Sequence, residues 1–189
     1  MKEKAGTDAV RVATLNLWGR RGDWDERRRV LVDGFRALEP DVVALQEAVV
    51  TDGYDQVTDV LGGGYHLAHQ TDRQPGNEDA EDGQGISIAS RWPLGEVWEP
   101  DLNVTPRTAD FACGALIAEV FAPEPIGPLL FVNHLPNWQL TFERERELQT
   151  AIVGRRIEEI AEGHGPRHVI LAGDLDATPE AASASSTGP

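Results

Sequence analysis

Short apolar runs alternate along this chain with segments whose apolar residues recur at helical spacing. Residues 10–18 read as a strand, with Val10, Val12, Leu15 and Leu17 supplying its apolar bulk. Asp23 or Asp25 is placed to cap a helix running to Leu38, and Val30, Leu31, Phe35 and Leu38 give it a partial apolar face. Pro40 closes that helix, and residues 41–45 form a second buried strand. A weaker helix over residues 54–61 stops at Gly62-Gly63-Gly64, followed by a short strand over 65–69. Residues 71–85 are rich in Gly, Pro, Asn and acids and read as a solvated loop. Strands follow at 85–90, closed by Arg91-Trp92-Pro93, at 111–121 and, after the turn at Pro123 and Pro125, at 129–132. The strongest helical pattern covers 141–161, with Leu148, Ile152, Ile157 and Ile160 on one side, and the last strand covers 168–172.

Interleaved strands and helices predict an α/β fold with long antiparallel strands in its middle. The organisation predicted is a flexible N-terminus over residues 1–9, one domain over 10–179, and a disordered tail of small polar residues over 180–189.

Composition narrows the partners. The chain has 189 residues, and 32 Asp and Glu against 17 Lys and Arg leave a net charge of −15. Electrostatic capture of a nucleic acid backbone needs clustered cations, so this balance disfavours nucleic acid as the partner. The run Arg27-Arg28-Arg29, with Arg20 and Arg21, is the densest basic segment, but three consecutive helical residues point in different directions. The single cysteine, Cys113, excludes an internal disulfide and a cysteine-based zinc cluster, and its apolar surroundings predict a packed thiol. No apolar stretch comes after Met1-Lys2-Glu3-Lys4, and no run approaches the about 18 apolar residues of a membrane span. A cytoplasmic protein without a membrane span is expected.

The chemistry lies in the polar residues that close each apolar run. The first strand carries Asn16, the second ends in Gln46-Glu47, the run at Phe131-Val132 ends in Asn133-His134, and the last strand ends in Gly173-Asp174-Leu175-Asp176. Ligands of open α/β sheets gather outside the carboxyl ends of strands. An amide, a carboxylate, an imidazole and a carboxylate pair at one edge suit a hard divalent cation with acid/base chemistry. Taken singly, Asn16 is equally a cap or turn former, Glu47 an exposed carboxylate and His134 a satisfied core histidine.

In order, Thr14-Leu15-Asn16-Leu17-Trp18, Leu45-Gln46-Glu47, the strand from Gly85 to Pro93, Val132-Asn133-His134-Leu135, Arg146-x-x-Gln149 and Gly173-Asp174-Leu175-Asp176-Ala177-Thr178-Pro179 resemble the endonuclease/exonuclease/phosphatase superfamily, the phosphoesterases similar to deoxyribonuclease I. The resemblance implies a four-layer sandwich of two mixed sheets flanked by helices, and hydrolysis of a phosphoester with Mg²⁺ or Mn²⁺. It implies Glu47 as principal metal ligand with Asn16 beside it, His134 facing the scissile phosphate, and Asp174 orienting or deprotonating the attacking water. Asp176 stands where the family usually has Asn, an extra carboxylate beside a phosphate. Arg91, Arg144 and Arg146 are read as solvated or salt-bridged.

No Asp-His pair comes after Asp176, where the family carries its closing histidine, so the resemblance covers a domain incomplete at its C-terminal end. That implies unpaired sheet edges, exposed apolar surface and weak or absent hydrolysis by this chain alone. Two alternatives stay open: a non-catalytic interaction module or degenerate fragment, and a haloacid-dehalogenase-type phosphatase, which Asp174-Leu175-Asp176-Ala177-Thr178 also resembles. A small phosphoester is favoured over duplex DNA, and oligomeric state is left open.

Overall fold

In the computed structural model, residues 9–76, 81–109, 113–164 and 168–181 are described. The first sheet orders β1 (Val12–Asn16), β2 (Val42–Thr51), β5 (Gln84–Ser90) and β4 (His66–His69), with the two-residue β3 (Tyr54–Asp55) folding back on the end of β2. The second orders β6 (Leu94–Trp98), β7 (Gly114–Phe121), β8 (Pro128–Leu135) and β9 (His168–Gly173). Each sheet is mixed: β1 runs parallel to β2 and β9 parallel to β8, whereas the other pairings are antiparallel.

The alternation within each strand explains the layering. Val42 and Ala44 of β2, Ile86 and Ile88 of β5, Leu116, Ala118 and Val120 of β7 and Leu129 and Phe131 of β8 share one core between the sheets. The intervening Val43 and Leu45 face the opposite way and pack with Phe35 of α1 (Trp24–Leu38) and Val57 and Val60 of α2 (Gln56–Leu61). Ala115, Ile117, Leu130 and Val132 pack against Val153 and Ile160 of α3 (Glu143–His164). Strands buried on both faces are apolar at every position rather than at alternate ones. The result is the expected α/β sandwich of four layers.

Several boundaries differ from those read in the sequence. β2 continues past Leu45 because a bulge absorbs the polar residues: Leu45 pairs with Ser87 and Ala48 with Gly85, leaving Gln46 and Glu47 opposite Ile86. β8 likewise extends through Asn133 and His134, whose polar groups find partners inside the sandwich. β6, absent from the sequence reading, is a short edge strand whose Gly95 and Glu96 break the apolar alternation. Tyr54 and Asp55 form a strand rather than the first turn of α2, and Asp55 caps that helix by accepting from Val57 N and Thr58 N. The expected terminal segments at 1–8 and 182–189, and the expected start of β7 at 111–112, lie outside the described residues.

β1 and β9 each pair on one side only among the described residues, and Val12, Leu15 and Val169 on them are exposed.

The bulge is held from the other sheet. Asn133 on β8 donates from Nδ2 to Leu45 O at 2.9 Å and Ser87 O at 2.8 Å, while its Oδ1 accepts from Gln46 Nε2 at 2.7 Å. Asn133 is fully buried, so its loss strands the Gln46 amide as well as two carbonyls. Asn133→Ala is expected to destabilise the fold by about 2–3 kcal/mol, read as a lowered denaturation midpoint at unchanged slope.

Candidate active site

The parallel pairing of β1 with β2 and of β8 with β9 brings their carboxyl ends to one rim of the sandwich, where Asn16, Glu47 and Asp174 meet. Asn16 ends β1, and its Oδ1 accepts from Trp18 N at 2.8 Å, which turns the amide nitrogen inward. That nitrogen donates one proton to Glu47 Oε1 at 2.8 Å and the other to Asp174 Oδ2 at 2.9 Å. Glu47 occupies the bulge with φ 51, a left-handed conformation uncommon for a side chain of this size, and it aims the carboxylate out of the sheet toward the rim. Its Oε2 accepts from Gln84 Nε2 at 2.6 Å.

Asp174 is fixed through its backbone. Its N–H donates to His134 O at 3.1 Å, and the preceding Gly173 has φ 152. A Cβ on Gly173 would lie 2.0 Å from the His134 carbonyl oxygen, so only glycine lets β9 leave β8 at this point. Asp176 also has positive φ, 47, and shares the rim. Burial, and then the negative charge of Asp174, push its carboxyl up to about 6, with Arg146 opposing and Glu47 adding to the rise.

His134 is placed differently. Its side chain is fully buried, and Nδ1 lies 3.1 Å from Gly114 O, which makes Nδ1 the protonated nitrogen because a carbonyl only accepts. Nε2 lies 3.5 Å from Thr150 Oγ1, a second enclosed contact. Burial pushes the imidazole down to about 4, against the opposing effect of the Gly114 carbonyl. The structure therefore brings Asn16, Glu47, Asp174 and Asp176 to one rim and sets the His134 ring beneath it.

Arg146 and Gln149 organise the segment after β8. Arg146 is buried, and its guanidinium donates to Asn137 O at 3.0 Å and Gln139 O at 2.7 Å as well as to Glu143. The reading of Arg146 as solvated or salt-bridged is corrected in part: it pairs with Glu143 but is enclosed, gripping backbone. Gln149 donates to Asn137 Oδ1 at 2.7 Å, Leu102 O at 3.0 Å and Cys113 Sγ at 3.2 Å. Cys113 is half-buried, and burial pushes its thiol up to about 11, so it is protonated and inert as expected. Arg91 donates to Pro40 O at 2.9 Å and stacks on Tyr65.

Sequence reasoning missed Gln84, which fell in the acidic loop, and gave no role to Asn133, whose signal was an amide inside an otherwise apolar run. One further polar chain, Asp55–His69–Ser87, has His69 Nδ1 2.9 Å from Ser87 Oγ and Nε2 3.8 Å from Asp55 Oδ2. Ser87 is fully buried and its Oγ accepts from Arg73 at 2.7 Å, so this chain supports the sheet and presents no nucleophile.

A sequence comparison matches residues 13–188 to the endonuclease/exonuclease/phosphatase family. The chain belongs to that family. The haloacid-dehalogenase alternative is thereby displaced, since the family accounts for all the strand-end motifs and not for the last one alone. Among curated proteins none matches the sequence. Solved structures with the same fold include the human Nocturnin catalytic domain with bound sulfate, at 19% identity and TM-score 0.75 over 93% of this chain and 67% of that one. Humanized D. rerio TDP2 matches at 22% identity and TM-score 0.71 over 95% of this chain and 66% of that one. ANGEL2, a 2′,3′-cyclic phosphatase, in complex with adenosine-2′,3′-vanadate, matches at 17% identity and TM-score 0.70 over 90% and 54%. The chain thus spans about half to two-thirds of the length of these family structures. No described helix is long and apolar enough to cross a membrane.

Gly173→Ala is expected to displace Asp174 and cost about 2–4 kcal/mol, checked by denaturation together with loss of the Asn16–Asp174 contact in a crystal structure. The His134 ring is expected to stay neutral across about pH 5 to 8, seen as flat imidazole NMR shifts. Because its pKa is lowered on folding from 6.5 to about 4, its share of stability is complete above 6.5 and is lost as pH falls toward 4.

Proposed function

We propose that this domain is built for divalent-metal-dependent hydrolysis of a small phosphoester. The observation that carries the reading is the Asn16 amide, which draws the Glu47 and Asp174 carboxylates together from two different sheets. Two convergent carboxylates offer hard oxygen donors, with the Asn16 NH₂ group between them and its Oδ1 held by Trp18 N. Mg²⁺ takes one or two protein carboxylates and fills its other positions with water and phosphate oxygens. Among the described residues no group of three or more His, Cys, Asp and Glu is arranged to hold a metal ion. Glu47 is assigned to hold the cation, Mg²⁺ or Mn²⁺, and Asn16 joins it when its amide turns to present Oδ1, which here is held by Trp18 N. When bound, the cation would neutralise charge on the phosphate oxygens and lower the pKa of a coordinated water.

The chain's own groups divide the remaining work. Asp174, fixed by Asn16 and by its backbone bond to His134, is oriented to accept the proton of the attacking water. Burial, and then the charge of Asp174, raise the Asp176 carboxyl to about 6, so below that pH it carries a proton it can donate to a phosphate oxygen, where an ordinary aspartate would repel one. His134 is given a positioning role, holding Gly114 by its ring and Asp174 by its carbonyl oxygen.

A small substrate is favoured over duplex DNA because the basic segment does not form a patch. Arg27 donates to Leu17 O and Arg21 O, Arg28 is paired with both Asp59 oxygens at 2.8 Å, and Arg29 donates to Asp25 O. Two of the similar structures were solved with oxyanions, sulfate in Nocturnin and adenosine-2′,3′-vanadate in ANGEL2, in line with a phosphoester reading. The enclosure of His134 favours one alternative, a module that binds phosphoesters without turning them over.

Hydrolysis of bis(p-nitrophenyl) phosphate should require Mg²⁺ or Mn²⁺, be abolished by EDTA, and fall about 100-fold in Glu47→Gln. Turnover that survives metal removal would overturn the metal assignment. Metal-dependent phosphate binding without turnover would favour the binding module.

A further inference from the structure

Glu47 leaves β2 at a bulge bounded by Leu45 and Ala48. Asn133 takes the carbonyl on one side of it, Leu45 O, from within the sandwich. The carbonyl on the other side, Ala48 O, goes to Arg73, whose Nη1 donates to it at 2.7 Å. Arg73 belongs to the segment after β4, on the far side of β5 from β2, so its side chain crosses β5 to reach that oxygen. Gly85 makes the crossing possible. A Cβ there would lie 3.1 Å from both Cγ and Nη1 of Arg73, so the space a side chain would fill holds the arginine instead. Alternation along β5 puts the crossing on the outer face of the sheet. Ile86 and Ile88 point between the sheets, whereas Ala89 packs with the α1 and α2 layer, and Gly85 and Ser87 share its side.

The same guanidinium holds the partner of the Glu47 carboxylate. Nη1 also donates to Gly83 O at 2.9 Å, and Nη2 donates to Ile86 O at 2.9 Å and Ser87 Oγ at 2.7 Å. Gly83 and Ile86 flank Gln84 and Gly85, and it is Gln84 Nε2 that donates to Glu47 Oε2 at 2.6 Å. One planar group therefore fixes the backbone behind Glu47 and the segment that carries the amide on its carboxylate. The terminal nitrogens meet four acceptors in a fork that a lysine ammonium does not reproduce. Burial pushes the guanidinium down to about 10, with Asp55 and Glu99 opposing, so it stays charged at neutral pH and its hydrogen bonds are charge-assisted. Its Nε is enclosed and meets no acceptor among the described residues, a cost to stability carried at a residue that grips the bulge.

We propose that Arg73 is a positioning residue for Glu47, which sets the left-handed backbone at the bulge and so aims the carboxylate at the rim. Such a backbone persists only where its surroundings fix it. Asn133 on Leu45 O and Arg73 on Ala48 O fix it from opposite faces of the sheet, and Arg73 alone reaches the carbonyl that follows Glu47 directly. The inference rests on the reading of Glu47 as the ligand of the cation and adds the group that holds it in place.

In the unaltered chain, isotope-edited NMR should show the Arg73 Nη protons as separate, slowly rotating resonances; a single averaged Nη signal would overturn the proposal without any variant. Arg73→Ala should move the Glu47 Cα and carbonyl carbon shifts away from left-handed values and weaken Mn²⁺ binding, read by electron paramagnetic resonance, about tenfold. Gly85→Ala keeps the guanidinium but crowds its path, and it should move both readings in the same direction. Each variant is measured well below its denaturation midpoint, so that folded protein is compared with folded protein. A lowered midpoint with the Glu47 shifts and Mn²⁺ affinity unchanged would reduce Arg73 to a structural residue and overturn the proposal. Failure of the unaltered chain to bind Mn²⁺ would overturn the cation reading of Glu47, while the Glu47 shifts would still decide the role of Arg73.

Discussion

The hydrogen bonds from Asn133 across the sandwich hold together what the rest of the molecule needs. A bulge in β2 lets Glu47 leave the sheet with a left-handed backbone, and such a distortion persists only when its surroundings fix it. Asn133 fixes it by donating to Leu45 O and Ser87 O, one on each strand beside the bulge, while receiving the Gln46 amide. A buried amide in an apolar layer costs desolvation unless its donors and acceptor are met, and here both kinds are. The same contact sets the two sheets in register at the end where β9 must deliver Asp174 to Glu47.

Electrostatics at the rim depend on that register. Carboxylates drawn from separate sheets repel unless something positive lies between them, and in this structure the Asn16 NH₂ group lies there. Asp176 adds a further carboxyl to the same field, and its raised pKa expresses the accumulated negative charge together with its burial. One layer down, His134 is kept neutral by enclosure, and its ring and carbonyl link β7, α3 and the start of the Asp174 segment. The site is therefore a polar rim on an enclosed amide and imidazole layer, with Arg146 and Gln149 pinning the chain that leaves β8.

Much of this was legible along the chain. The apolar runs that became β2, β5, β7 and β8 are continuous because both faces of each strand are covered, and their polar terminators marked Asn16, Glu47 and Asp174. A cap at Asp23 or Asp25 and the break at Pro40 bounded α1, which starts after the Asp23 cap and ends at Leu38. β6 was hidden because an edge strand with Gly95 and Glu96 carries no two-faced apolar run, and the extension of β2 was hidden because Gln46 and Glu47 resemble a strand end. Gln84 and Arg73 were hidden for a related reason: they sit in an acidic stretch, and only their partners on β2 and β5 give them work.

Patterns of residue type settled the α/β class and the chemical character of the strand ends, and with them the resemblance that implied the layers, because burial and hydrogen-bonding capacity are properties of each side chain in its local run. Distances between those ends are not local. That Asn16 spans Glu47 and Asp174, that the His134 ring is enclosed and not presented at the rim, and that Arg73 turns inward onto the Ala48 and Ile86 carbonyls all depend on contacts between residues far apart in the chain. Such contacts exist only once the two sheets have packed, so the tertiary structure alone decides which polar groups reach one another and which are spent on the backbone.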